Sequence, residues 1–230
     1  MCLDPRTKRW AQKPKLILFD LDGTLVDSIP DLAYSVDTML QQLRMSPHGV
    51  EKVKLWLGNG AERLVKRALT GGADEKPDQR LFQEAFAIFS DIYAENSCRQ
   101  SRLYPGVREG IDYLLQSGYA LGCITNKRQR FTRPLLSALG LLSGFSAVVS
   151  GDSLAEKKPS PEPLLYAAQN LGVRPEDSLM VGDSINDVLA ARAARMPVIG
   201  VRYGYNHGED IADTRPDYVL DSLAELKRLL

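Results

Sequence analysis

Residues 16–26 read LILFDLDGTLV. Leu16, Ile17, Leu18 and Phe19 form an uninterrupted apolar run, the pattern of a strand buried on both faces, as in a parallel sheet covered by helices on both sides. Asp20 and Asp22 follow directly, and Gly23 allows a sharp turn beyond them. Acids at the exit of such a strand stand at the carboxyl edge of the sheet, where open α/β folds gather ligands.

Downstream of this strand the texture becomes helical. Ser28 as N-cap, Pro30 in the first turn and Asp31 as the partner in a capping box predict a helix start, and Leu32, Ala33, Val36, Met39, Leu40 and Leu43 continue it at helical spacing. Ala61, Leu64, Val65, Ala68 and Leu69 predict a second helix that stops at Gly71-Gly72. The stripe from Leu81 through Phe82, Phe86 and Phe89 to Tyr93 predicts a longer third, with these aromatics in the helical core. From Tyr104-Pro105-Gly106 the pattern changes to short β-rich runs alternating with helices: Ala120–Ile124, Phe145–Val149, Leu179–Val181, Pro197–Val201 and Tyr218–Leu220. The fold expected is α/β: a doubly wound parallel sheet, a Rossmann-like core of residues 16–27 and 99–230, interrupted by an inserted all-helical cap domain of residues 28–98 and preceded by a basic arm of residues 1–15.

Composition narrows the function classes. Lys plus Arg and Asp plus Glu number 29 each, so no net field favours nucleic acid or an acidic membrane surface, and neither is an expected partner. No apolar run approaches the ~18 residues of a membrane span. The opening MCLDPRTKRWAQKPK has no signal-like apolar segment and reads as a frayed, solvated terminus. Cys2, Cys98 and Cys123 are far apart and show no metal-ligand spacing, which fits a reducing compartment; the expected location is the cytoplasm.

The strand ends carry the chemistry. The first runs into Asp20-Leu21-Asp22-Gly23-Thr24, the Ala120 strand into Thr125-Asn126, and the Leu179 strand into Gly182-Asp183-Ser184-Ile185-Asn186-Asp187; Lys157-Lys158-Pro159 follows the Phe145 strand. Taken singly, each has a bland reading: a turn former, a surface lysine, or acids complementing a helix N-terminus. In this order and strand context they resemble the four motifs of the haloacid dehalogenase superfamily of phosphate-transferring enzymes, over residues 16–230. Gly58-Asn59-Gly60-Ala61 and Tyr203–Glu209 are similar to the branch of that family acting on 2-phosphoglycolate, which makes this small ester the expected substrate.

The resemblance implies an Mg²⁺-dependent phosphatase. Asp20 and Asp183 would ligate the ion through their carboxylates and Asp22 through its main-chain carbonyl, with Asp187 holding a metal-bound water. Thr125, the Asn126 amide and Lys158 would bind phosphate. Electrostatics require such cations, because a phosphate dianion about 4 Å from each acid meets repulsion on the order of 4 kcal/mol per pair at an effective dielectric near 20. Asp20 would attack phosphorus to form an aspartyl phosphate. Asp22 would protonate the leaving alkoxide and then activate the hydrolytic water.

Around this core, Asn59 is either a cap substrate-loop residue or a plain turn former. Arg63, Arg128 and Arg130 are either carboxylate binders or solvated charges, and His207 sits in a loop that could approach the site. A phosphomutase of the same superfamily, passing the phosphoryl group to a sugar phosphate, would use the same Asp20 and Asp22. A receiver domain also combines acids, a Thr and a Lys-Pro, but has no acid two residues after its phosphorylated Asp. One departure is Ala194-Arg195-Met196, where related sequences end a helix on glycine; a left-handed terminus at Arg195 would be strained.

Overall fold

The computed structural model describes residues 3–4, 9–10, 13–72 and 76–230. In the arm, β1 (Leu3–Asp4) pairs antiparallel with β2 (Arg9–Trp10), so this part is not frayed. The rest of residues 1–12 lies outside the described residues.

Six strands form the main sheet: β3 (Leu16–Phe19), β6 (Ala120–Ile124), β7 (Ala147–Val149), β8 (Ser178–Gly182), β9 (Val198–Val201) and β10 (Tyr218–Leu220). All neighbours are parallel, in the order β10-β9-β8-β3-β6-β7. The chain starts at the centre, builds outward to β7, then returns to the other side of β3. The switch of direction therefore falls at β3, whose last residue Phe19 is in register with Cys123 of β6 and Val181 of β8.

The apolar run of β3 is continuous because both of its faces are covered. Ile17 and Phe19 pack with Val107, Ile111 and Leu114 of α5 (Val107–Gln116) and with Leu135 of α6 (Gln129–Ala138). Leu16 and Leu18 face the other way, with Leu164 of α7 (Glu162–Asn170) and Val188 of α8 (Ile185–Ala193). The sequence-based boundaries shift in two places. Residues 142–144 form a 3-10 turn, so Phe145 precedes β7 instead of starting it, and Pro197, which has no N–H to give a ladder, precedes β9.

Between β4 (Val26–Asp27) and β5 (Arg102–Leu103), an antiparallel pair, the chain leaves for a helical insertion: α1 (Ile29–Gln42), α2 (Val50–Leu55), α3 (Ala61–Thr70) and α4 (Gln79–Asn96). Val36, Met39, Leu64, Val65, Phe89 and Tyr93 are fully or almost fully buried in its core, which Phe131 of α6 joins. The short helix α2 has only Val53 buried, so it has no apolar stripe to be read in sequence. No described helix is long and apolar enough to cross a membrane.

The capping box expected at Ser28 and Asp31 does not form. Ser28 precedes α1 but makes no side-chain cap bond; its hydroxyl donates to Asp22 Oδ1 at 2.6 Å. Asp31 turns to the exit of the insertion and accepts from the Gln100 and Ser101 N–H groups and from Ser101 Oγ. Both side chains are drafted by tertiary contacts that tie the start of the insertion to its end. At the other irregular terminus, Arg195 does adopt φ +57° after α8, while the Met196 N–H reaches Ala191 O at 2.9 Å. The bond closes the helix at a cost of roughly 1–2 kcal/mol in backbone strain.

Candidate active site

Four loops converge at the carboxyl edge. Asp20 follows β3, Thr125 and Asn126 follow β6, Lys158 comes from the loop between β7 and α7, and Asp183 links β8 to α8. Asp20, Asp183 and Asp187 each present a carboxylate oxygen within 4.8 Å of the others.

Lys158 balances this cluster. It is 2% exposed, and its ammonium donates to Asp187 Oδ1 (2.7 Å) and Ile124 O (2.7 Å) while pairing with Asp20 Oδ1 (2.9 Å). Burial works against its charge, but Asp187 and Asp20 outweigh it and hold the ammonium protonated well above the ordinary lysine range. Asp187 also completes the N-terminus of α8: its Oδ2 accepts from the Ser184 N–H (3.0 Å) and hydroxyl (2.8 Å) in a capping box.

Asp183 is 2% exposed and accepts from Thr24 Oγ1 and from the Tyr205 N–H, both at 2.8 Å. Two glycines make room for it. Gly23 has φ +91°, and a Cβ there would lie 2.3 Å from Asp183 Oδ2; a Cβ at Gly204 would lie 2.1 Å from the Asp183 Cβ. Gly23 is thus required by its own backbone and by its neighbour.

Burial and the nearby Asp187 charge push the Asp183 carboxyl from its ordinary 3.8 to about 7, and burial raises Asp20 well above its usual range against the pull of Lys158. Since the folded-state value exceeds the unfolded one, the unfolded chain releases its proton first as pH rises. The Asp183 contribution to stability is therefore full below about pH 4 and lost by about pH 7. Metal-free protein should lose denaturant stability across that window. A divalent cation, which needs the carboxylates ionised, should restore stability and release protons on binding at pH 6, with fewer released at pH 8. Paired denaturation and proton-release titrations check this; stability flat from pH 4 to 7 would contradict it.

The donor set fits a hard divalent cation. It is all carboxylate oxygen, without the thiolate or imidazole that softer metals favour. Asp20 Oδ1 is occupied by Lys158 and the Leu21 N–H (2.7 Å), whereas its Oδ2 has no protein partner among the described residues.

Asp22 sits apart from this cluster. Lys127 donates to both of its oxygens, at 3.0 and 3.1 Å, and to the Tyr93 hydroxyl of α4 at 2.5 Å. Asp20, Asp22, Tyr93, Thr125 and Lys127 line one cavity of about 50 Å³. Its remaining wall includes the apolar side chains of Leu32, Leu57, Leu64 and Phe131. The Thr125 hydroxyl accepts from the Lys127 N–H (3.1 Å). The Asn126 side chain donates to Gly58 O (3.1 Å) and Lys158 O (2.9 Å), while its Oδ1 is buried without a partner.

The other residues singled out in sequence lie elsewhere. Gly58 and Gly60 line the cavity, but the Asn59 side chain faces Asn186 (3.4 Å) and His207 (3.5 Å) in the seam between insertion and core. Arg128 pairs with Glu62 and lies over Phe86, Arg130 pairs with Asp91, and Arg63 lines a second cleft with Lys66, Lys157 and Lys158.

Sequence reasoning missed Lys127, Ser28 and Tyr93 as site residues. Adjacency to Thr125-Asn126 was the one available signal for Lys127, and the Tyr93 stripe position spoke only of packing. Tyr203 and Tyr205 were read only as part of a motif. Their contacts are now specific: Tyr203 OH donates to Thr24 O (2.7 Å), and Tyr205 OH accepts from the Ser28 N–H (3.0 Å).

A parallel sheet whose carboxyl edge joins an acid cluster to a buried lysine, under a helical insertion, is an open α/β fold with a charged ligand site at its switch point. A model of the haloacid dehalogenase-like hydrolases matches residues 17–201, and the chain belongs to that family. It is 52% identical over 219 residues, 95% of its length and 97% of the relative's, to a protein of Nitrosococcus oceani named phosphoglycolate phosphatase. Among solved structures, a "predicted phosphoglycolate phosphatase" from Haemophilus somnus superposes with a TM-score of 0.90 at 39% identity, covering 95% of this chain and 99% of that one. CbbY from Rhodobacter sphaeroides, in complex with phosphate, gives 0.74 at 27% identity over 93% and 96%.

Proposed function

We propose that the chain is an Mg²⁺-dependent phosphatase acting in the cytoplasm, and that its substrate is 2-phosphoglycolate, which it converts to glycolate and inorganic phosphate. The observation that carries the reaction is the pairing of buried Lys158 with Asp20 inside the three-carboxylate cluster. The substrate follows the name carried by the 52% identical relative.

In this reading residues 28–98 act as the cap over a core of residues 16–27 and 99–230, and the apolar wall of the cavity excludes water from the ester. Asp20 attacks phosphorus, the alkoxide departs, and an aspartyl phosphate forms; one hard displacement becomes two easier ones. Asp22 protonates the departing glycolate oxygen and, now a carboxylate, takes a proton from the water that hydrolyses the aspartyl phosphate. Lys158 neutralises a nonbridging oxygen, and the Thr125 hydroxyl and Asn126 main-chain amide donate to others. Asp187 orients Lys158. The carboxylates of Asp20 and Asp183 and the main-chain carbonyl of Asp22 would hold Mg²⁺, which when bound would supply the positive charge that lets a phosphate dianion approach these acids.

Asp22→Asn should reduce kcat by about 10²-fold to 10⁴-fold, the usual share of an acid-base group, with a smaller loss on aryl phosphates, whose leaving group needs no proton. Steady-state kinetics on an alkyl and an aryl ester check this; equal losses on both would count against the acid role.

The reading as a whole is tested by phosphate release from a panel of small phosphate esters, with Mg²⁺ and with chelator. A metal-dependent kcat/KM favouring 2-phosphoglycolate by about tenfold or more supports it. Equal rates across the panel reject the substrate, and transfer of the phosphoryl group to a sugar phosphate without phosphate release rejects the hydrolase in favour of a mutase.

A further inference from the structure

If the substrate is a phosphate ester with a carboxylate on its leaving group, that second anion must be met inside the cavity. The wall formed by Leu32, Leu57, Leu64 and Phe131 offers it nothing. Burying an ionised carboxylate against such a surface is prohibitive without a charged or hydrogen-bonding partner. Among the described residues that line this cavity, Lys127 is the one with a cationic side chain. Arg128 and Arg130, next along the chain, pair with Glu62 and Asp91 and do not line it.

Lys127 is built for this task. Its side chain is 5% exposed, so its charge is little screened by solvent. Tyr93 fixes it from the helical insertion through the 2.5 Å hydrogen bond and through the ring face, 4.7 Å from the ammonium. Its two contacts to Asp22, at 3.0 and 3.1 Å, occupy both oxygens of one carboxylate. An incoming carboxylate offers the same two acceptors in the same geometry, and can replace Asp22 while Tyr93 keeps the ammonium in place.

We propose that Lys127 recognises the carboxylate of the leaving group, exchanging its ion pair with Asp22 for one with the substrate. This rests on the reading of a carboxylated phosphate ester above. Ligand recognition and loss of the Lys127 hold on Asp22 then become one event, which frees Asp22 Oδ2 while Ser28 keeps Oδ1, and an ester without a carboxylate leaves Asp22 held by Lys127. Lys127 is on this account a specificity-determining residue, selecting small esters with a second anion.

The test compares 2-phosphoglycolate with ethyl phosphate, which lacks the carboxylate, for wild type and Lys127→Met. The wild type should prefer 2-phosphoglycolate. In the variant the ratio of the two kcat/KM values should fall roughly 10-fold to 100-fold, the range open to a charge-assisted hydrogen bond, chiefly through a higher KM for 2-phosphoglycolate. A variant that loses the same factor on both esters would overturn the proposal, since Lys127 would then act only through Asp22. So would a variant whose preference is intact. A wild type without preference would instead reject the substrate reading itself, and the proposal with it.

Because Lys127→Met strips the half-buried Asp22 of its ion pair and leaves it the Ser28 hydroxyl, the comparison is repeated by calorimetry with Asp22→Asn against Asp22→Asn/Lys127→Met, where no ionised Asp22 remains to be compensated. The double variant should bind 2-phosphoglycolate at least tenfold more weakly than the single one; equal binding would overturn the proposal.

Discussion

Asp20→Asn should lower phosphate release by about 10⁴-fold or more, because an amide cannot form the aspartyl phosphate on which the two-step reaction depends. The fold should tolerate the change. The amide oxygen can still accept from the Leu21 N–H, at 2.7 Å in the native chain, and from Lys158 at 2.9 Å. One of three crowded carboxylates is also removed, and burial with neighbouring charge already holds the Asp20 carboxyl well above its usual range. Loss of turnover with a nearly unchanged denaturant midpoint is therefore the expected pair of results. Mass spectrometry of the purified variant excludes deamidation back to Asp. Turnover within tenfold of wild type would remove Asp20 as the nucleophile.

Lys158→Met should damage both activity and stability. The lysine is 2% exposed; its ammonium donates to Asp187 and Ile124 O and forms an ion pair with Asp20. Removing one partner of a buried ion pair typically costs about 3–5 kcal/mol, since the remaining charge stays desolvated. Here two carboxylates lose their counter-ion at once, and Asp183 stands within 4.8 Å of both. For a chain of this length each kcal/mol corresponds to a fall of about 2–4 °C in Tm. A divalent cation should narrow the deficit by supplying the missing charge. Phosphate release should fall about 10²-fold to 10³-fold, the scale of losing one transition-state charge stabiliser. Calorimetry with and without Mg²⁺, alongside kinetics, separates the two effects; a variant with wild-type Tm in chelator would show that Lys158 does not hold the acid cluster together.

The sheet and the acids were legible in the sequence for one physical reason. A strand covered on both faces must be apolar throughout, so Leu16–Phe19 and Ala120–Ile124 stand out as runs, and the first polar residues after them are necessarily at the sheet's edge. Asp20, Thr125 and Asp183 occupy such positions. What stayed hidden are contacts whose partners lie far along the chain. Lys127 meets Asp22 across 105 residues, and Tyr205 meets Ser28 across 177. Helical periodicity assigned Tyr93 to a packing stripe, and it does pack at 1% exposure, yet its hydroxyl leaves the stripe to reach Lys127. Local rules misled at Ser28 and Asp31. The capping box they spell is outcompeted by Asp22 on one side and the Gln100-Ser101 backbone on the other. A side chain with two acceptors or a free hydroxyl has a local and a distant option, and burial of the distant one decides.

The mechanism passes the phosphoryl group through Asp20. Its most direct test is acid quench of the enzyme during steady turnover of ³²P-labelled 2-phosphoglycolate with Mg²⁺, followed by mapping of the labelled peptide. The peptide containing Asp20 should carry an acid-stable, hydroxylamine-labile acyl phosphate, lost in Asp20→Asn. A chase with unlabelled substrate before the quench should empty the label from the folded enzyme at least as fast as kcat. Phosphate release at full rate with no label on the chain, or with the label on another residue, would contradict it.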